Sequence, residues 1–225
     1  MSNLRKEVIK HFYTTDLQDY VKERHELTEE QFQNVDWPNL DWSLHKMMHH
    51  KRATMVKLIH RWLPTQVKVA QQRRMDKSIC PRCNTEDETQ LHMGMCLDPD
   101  AVKEQMKEWA KRAHTLRQCG MAPEIILAWD KEVRTHLQMP ASKLQQGTMR
   151  QNERQTKWAM VISSWQHEIG WNLFLWGMIL EEWKQIQLHY ERQFPTKKNQ
   201  SIDTWQTAVV MTMLQFSVQG WKAWN

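Results

Sequence analysis

Residues 79–99 read Ile79-Cys80-Pro-Arg-Cys83-Asn-Thr-Glu-Asp-Glu-Thr-Gln-Leu-His92-Met-Gly-Met-Cys96-Leu-Asp98-Pro99. A Cys-x-x-Cys turn presents two thiolates to one metal ion. His92 and Cys96 stand four apart, so one helical turn carries both on the same side. Thiolate and imidazole are the donors that zinc prefers, four at a time, in a tetrahedron. Cys80, Cys83, His92 and Cys96 are therefore predicted to hold one zinc ion in a CCHC-type (Cys3His) knuckle. The set is closed and leaves no position for a reactive water, which points to structure and not to hydrolysis. Asp98 followed by Pro99 is a helix start, with an N-cap and then proline at the first helical position. The knuckle is thus read as an insertion between helices, with the next helix reaching about Leu116.

The flanking sequence supports a helical frame. Only 6 of 225 residues are Gly and 7 are Pro, too few for the many turns of a sandwich or barrel. Upstream, one helix is predicted from about Trp42 to Trp62, with Asp41 as N-cap, Pro64 as stop, and Leu44, Met48, Met55, Ile59 and Trp62 on its apolar face. Thr28 ahead of Glu29 and Glu30 is a further cap. Residues 65–75 are read as a short basic helix or turn. Downstream, Gly120 punctuates, and Pro123 opens a helix through Leu127 and Val133 to Leu137. Residues 139–155 are polar, with Pro140 and Gly147, and read as a linker or loop. Apolar stripes follow at Trp158, Ile162, Trp165 and Ile169, then at Leu175, Ile179, Trp183, Ile186 and Tyr190. A last stripe runs Trp205, Val209, Met213 and Phe216, after a loop at Pro195 to Ser201. Such stripes are core faces before they are ligand surfaces. The fold class expected is all-α: a multi-helix bundle with the small Cys3His knuckle inserted. Its parts are N-terminal helices with the knuckle at 80–96 (1–138), a linker (139–155) and a Trp-rich helical unit (156–225).

Charge is unevenly placed. From Lys51 to Ile79 there are eight basic residues and one acid, although the whole chain is only +5. A basic block leading into a metal site suggests an anionic partner, RNA or DNA, with phosphate contacts at Lys68, Arg73, Arg74, Lys77 and Arg82. The alternative reading is a solvated helix face on a structural or protein-interaction domain. Cys119 is read as a buried free thiol, and Trp62 as a core residue ahead of a base-stacking one. His45 and His49, four apart with His50 beside them, are a second metal candidate for which no third ligand is obvious.

Several classes are excluded on motif grounds. There is no His-Glu-x-x-His, no phosphate-binding Gly-rich loop and no Gly-x-Ser-x-Gly elbow. A metal nuclease would need Asp100 after Pro99 to converge with Glu182 and Lys184 across more than 80 residues. No enzyme activity and no small-molecule substrate are expected. The longest apolar run, Trp171 to Leu180, is too short to span a bilayer, and the N-terminus shows no secretory h-region. Clustered cysteines without a disulfide pattern suit a reducing, intracellular setting, cytoplasmic or nuclear.

Several segments, in this order, resemble a known family: Val35-Asp36-Trp37, Met55-Val-Lys-Leu-Ile-His-Arg-Trp-Leu-Pro-Thr65, Ile79-Cys-Pro-Arg-Cys83, Glu88-Thr89 with His92 and Cys96, Gln166-His-Glu-Ile-Gly-Trp171, Phe174-Leu-Trp-Gly177, Trp183 and Trp221-Lys-Ala-Trp-Asn225. They are similar to the region downstream of the polymerase in reverse-transcriptase-like proteins of non-LTR retroelements, of the type abundant in diatoms and related algae. The resemblance covers about residues 32–110 and 158–225. It implies an element-derived context and a nucleic-acid-binding module, and it does not imply that this chain polymerises anything. Leu97 departs from the family's usual proline after the fourth ligand, and no Asp-Asp pair of a polymerase palm is present.

Overall fold

A computed structural model describes residues 15–74, 77–141, 153–194 and 201–224. Among these the regular structure is helical, with an isolated β-bridge between Ile79 and Asp87 and no strand. The all-α expectation holds. No described helix is long and apolar enough to cross a membrane. The chain divides into two compact units, residues 1–35 and 36–225.

The first unit contains helix α1 (15–25) and helix α2 (Glu29–Asn34). Thr28 caps α2 as the sequence suggests. Its hydroxyl accepts from Gln31 N, while the Gln31 side chain accepts from Thr28 N, so two otherwise unpaired amides are satisfied. Lys22 Nζ lies 2.7 Å from Glu29 Oε2 and ties α1 to α2.

The second unit opens with α3 (Trp37–His45) and α4 (His49–Ile59). The single helix predicted over 42–62 is therefore two. The N-cap is Asp36, whose carboxylate accepts from Asn39 N, and Asp41 is an ordinary exposed helical residue. At the break, Arg52 Nη2 donates to His45 O and Met47 O, so a side chain of α4 satisfies carbonyls that a continuous helix would have used internally. α4 stops at Ile59, ahead of Pro64, where Arg61 turns the chain at φ +55°. Met55 and Ile59 are buried as expected, but Met48 and Trp62 are more than half exposed.

Next come α5 (Gln66–Arg73), α6 (Gln90–Met95), α7 (Pro99–Gln118) and α8 (Pro123–His136). Asp98 accepts from Ala101 N at 3.0 Å, confirming the predicted start of α7. Then follow α9 (Glu153–Ile169), α10 (Trp171–Leu175), α11 (Trp183–Gln193) and α12 (Ile202–Trp224). Most of the expected linker, and the loop at 195–200, lie outside the described residues. α12 is the central rod, packed against α3, α4, α6, α7, α10 and α11, so helices from both sides of residues 139–155 share one core.

Tryptophan supplies much of that core. Trp109, Trp129 and Trp183 are fully buried. Trp129 meets Phe174 and Trp183 edge-on, with centroids 4.9 and 5.3 Å apart. Trp109 Nε1 donates to buried Asp130 at 2.8 Å, which removes the cost of an unpaired indole N–H. On α9 the predicted stripe is half right. Ile162 and Ile169 are buried, but Trp158 and Trp165 are exposed, and the inward positions are Gln155, Ala159, Ser163 and Gln166. The stripe from Leu175 to Tyr190 is interrupted: Gly177, at φ +88°, turns the chain between α10 and α11. Leu175, Ile179, Trp183 and Ile186 are nevertheless all buried.

Candidate metal centre

The knuckle is built by local turns. Cys80 N donates to Glu86 O at 2.7 Å, Glu88 N to Ser78 O at 2.8 Å, and Asn84 N to Cys80 O at 3.0 Å. Asn84 takes the left-handed conformation at φ +54°, which folds the Cys-x-x-Cys turn back on itself. Thr89 then caps α6 by accepting from His92 N, and α6 presents His92. Cys96 sits at the C-terminal end of α6, just before the Asp98 cap of α7.

These elements bring the four predicted ligands together: their donor atoms all lie within 4.8 Å of one another. Cys80 Sγ is 4.0 Å from Cys96 Sγ, and Cys83 Sγ is 3.4 Å from His92 Nε2. A tetrahedral ion with bonds of about 2.3 Å to sulfur and about 2.0 Å to nitrogen gives edges of about 3.8 and about 3.5 Å. The spacing thus suits a metal ion, and the sulfurs are too far apart for a disulfide. Cys80, Cys96 and His92 are buried, with Cys83 partly so.

The electrostatics point the same way. The Thr85 hydroxyl, helped by the Thr85 and Glu86 amides and the Cys80 thiol, pulls the Cys83 thiol down to about 6 against the opposing effect of burial. Burial pushes Cys96 up to about 12, and the neighbouring Cys80 and Cys83 add to that rise. Three thiols this close cannot all ionise unless a cation joins them.

Behind the histidine lies a carboxylate that the spacing did not reveal. Glu86 Oε2 lies 3.0 Å from His92 Nδ1. With Nε2 turned to the cluster, Nδ1 carries the proton and donates it to the carboxylate. That fixes both tautomer and ring orientation. Glu88, by contrast, is buried, and its Oε1 accepts from Gln66 N at 2.9 Å at the start of α5. Its carboxylate meets the positive end of that helix and anchors it to the knuckle. The run Glu86-Asp87-Glu88 was a signal for acids in the loop, but sequence alone could not assign which one faces the histidine.

The predicted phosphate contacts separate into two groups. Arg73, Arg74 and Lys77 are exposed, and Lys68 is half-buried on α5. Arg82 pairs with Glu104 at 3.0 Å and binds the knuckle to α7. Two more arginines of the basic block have structural tasks: Arg52 spans the α3–α4 break, and Arg61 lies over the Trp176 ring at 5.6 Å.

Three other expectations change. His45 and His49 flank the helix break and share no helical face, and among the described residues Cys80, Cys83, His92 and Cys96 form the metal-ligating group. Cys119 caps α7 and is half-buried, not buried, because it stands at the helix end beside the exposed Gly120. Trp62 is 52% exposed and stacks on His60 with centroids 4.8 Å apart, because α4 ends before it could turn inward. No known family model, curated protein or solved structure matches the chain.

Proposed function

We propose that this chain is a non-catalytic nucleic-acid-binding module, stabilised by one zinc ion at Cys80, Cys83, His92 and Cys96. The observation that carries the reading is the seating of basic α5 on the metal loop. Glu88 accepts from Gln66 N through its side chain, and from Val67 N through its backbone at 3.4 Å. The zinc loop thereby fixes the helix that carries Lys68 and Arg73 and leads to Arg74 and Lys77. Cations held in place lose less freedom on meeting a phosphate backbone. The resemblance to the post-polymerase region of non-LTR retroelement proteins points to the same class, and an intracellular setting suits both metal and partner. Thiolate and imidazole donors favour zinc among the available ions.

Fluorescence anisotropy with single- and double-stranded RNA and DNA oligonucleotides tests this on zinc-loaded protein. Four phosphate contacts to a single strand should weaken affinity roughly 50-fold between about 50 and about 200 mM salt. Replacing Lys68, Arg73, Arg74 and Lys77 by Gln should abolish most of that dependence. Absence of binding by folded, zinc-loaded protein at low salt would refute the reading.

A second reading, a protein-interaction domain with a purely structural zinc, is favoured by one observation. Trp158, Val161 and Trp165 are all exposed on α9, at the helical spacing of a single face. Aromatic residues grouped on a surface are enriched at protein interfaces.

A further inference from the structure

We propose that Trp62 is a base-stacking platform, and that the nucleic acid this chain takes is single-stranded. The inference rests on the nucleic-acid reading and deepens it. The corner that carries Trp62 is built by the end of α4. Arg61 takes the left-handed conformation at φ +55°. Arg61 N donates to Leu58 O at 3.1 Å, and Trp62 N donates to Lys57 O at 2.7 Å. This pair of bonds is a Schellman motif, which commonly folds an apolar residue after the turn onto the third residue from the helix end. Here that third residue is Lys57, an exposed cation, so the motif supplies a charge in place of an apolar partner.

Trp62 is left 52% exposed, with His60 stacked on it at 4.8 Å and 24° between the ring planes. Its chain neighbours are both drawn inward: Leu63 is buried, and Arg61 lies over the Trp176 ring. The backbone therefore holds Trp62 outward. A single exposed apolar side chain is ordinary. Trp62 differs because its backbone is pinned and one face of its ring is already stacked, while half of its surface stays open. Little freedom remains to be lost when a second ring arrives.

The surroundings choose the ligand. The metal loop and α6 hold both sides of the corner: Gln90 Nε2 donates to Leu58 O at 2.7 Å ahead of it, and Glu88 Oε1 accepts from Gln66 N at 2.9 Å behind it. The chain from Trp62 to Thr65 reaches at most about 10 Å, and α5 rises only about 4.5 Å from there to Lys68. Lys57 and Lys68 thus stand before and after the platform, within reach of a few nucleotides. No acidic residue occurs from 51 to 75. An apolar partner gains nothing from the flanking cations, and an acidic peptide brings no flat ring with each charge. A nucleic-acid strand offers a ring and a phosphate in every unit. In a duplex the bases stack on one another, so the indole selects an unpaired strand.

The test uses the full zinc-loaded chain and fluorescence anisotropy with one labelled sequence as single-stranded RNA, single-stranded DNA, duplex DNA and an abasic single strand. The intact single strands, RNA and DNA alike, should bind about tenfold more tightly than the abasic one. Trp62→Ala should erase that difference and leave the salt slope, helical signal and zinc content unchanged, while Trp62→Phe should keep most of it. Lys57→Gln should instead reduce the salt slope by about 0.7, one phosphate contact to a single strand. Duplex binding should not respond to Trp62→Ala; an equal loss on the duplex would show a structural role and overturn the platform. Salt-dependent binding that ignores both base removal and Trp62→Ala would overturn the platform and leave the module standing. Absence of binding to every form would overturn the module and the platform together.

Discussion

Glu86 Oε2 stands 3.0 Å from His92 Nδ1, on the side of the imidazole away from the thiols. The carboxylate holds the ring in the orientation that a tetrahedral ion needs. Its side chain is largely exposed, so solvent weakens the pairing. Glu86→Ala should therefore reduce metal affinity about tenfold, the low end for such partners. Competition against a chromogenic chelator measures it, and unchanged affinity would remove Glu86 from the site.

Removing the metal should be a local event. The cluster packs with Ala101, while the core of α7, α8, α9 and α12 is built elsewhere, on Trp109, Trp129 and Trp183. Chelation should abolish hydrogen-exchange protection at residues 78–96 and lower the melting temperature, yet keep most of the helical circular dichroism. Complete loss of the helical signal would show that the knuckle nucleates the whole unit.

Gln166 is a buried staple. Its Nε2 donates to Met178 O at 3.2 Å, and its Oε1 accepts from Leu180 N at 3.0 Å. Gln166→Leu keeps the volume but strands two buried backbone groups. A loss of about 2–4 kcal/mol is expected by urea unfolding with an unchanged m value.

Gly177 has φ +88°, and a Cβ there would lie 3.0 Å from Leu40 Cδ1 and 3.3 Å from Val210 Cγ1. The turn brings its backbone against α3 and α12 with no room for a side chain. Gly177→Ala should cost about 2–3 kcal/mol from the left-handed backbone and overpacking together. A loss below about 0.5 kcal/mol would mean that α3 shifts freely.

Burial lowers the pKa of His136 below its usual 6.5, and the charge of His167 lowers it further. The unfolded chain therefore takes up this proton first as pH falls. The contribution of His136 to stability is complete above about pH 6.5 and declines as the pH falls below that value. His136→Gln should flatten the pH dependence of unfolding between about pH 7 and about pH 5, relative to wild type. An identical slope would show that the group titrates alike in both states.

Features set within a few residues along the chain can be read from the sequence. The Cys3His ligands were legible because a Cys-x-x-Cys turn and an i, i+4 pair fix donor positions locally. Asp98 and Thr28 were legible as helix starts because a cap bonds only to the next three amides, and Pro123 because proline suits the first helical position. The stripe on α12 was legible because a central helix is apolar on the side that the rest of the unit covers. The tertiary structure decided what depends on a partner arriving from far along the chain. Asp36, not Asp41, starts α3, and its carboxylate also accepts from Gln206 and pairs with Lys184. Trp158 and Trp165 face outward because the neighbours of α9 meet its other face, where Gln166 finds loop amides to bond. Glu86 and not Glu88 serves the histidine, because the start of α5 claims Glu88 first. Periodicity counts apolar residues, but burial goes to whichever face its neighbours can satisfy in both packing and hydrogen bonds.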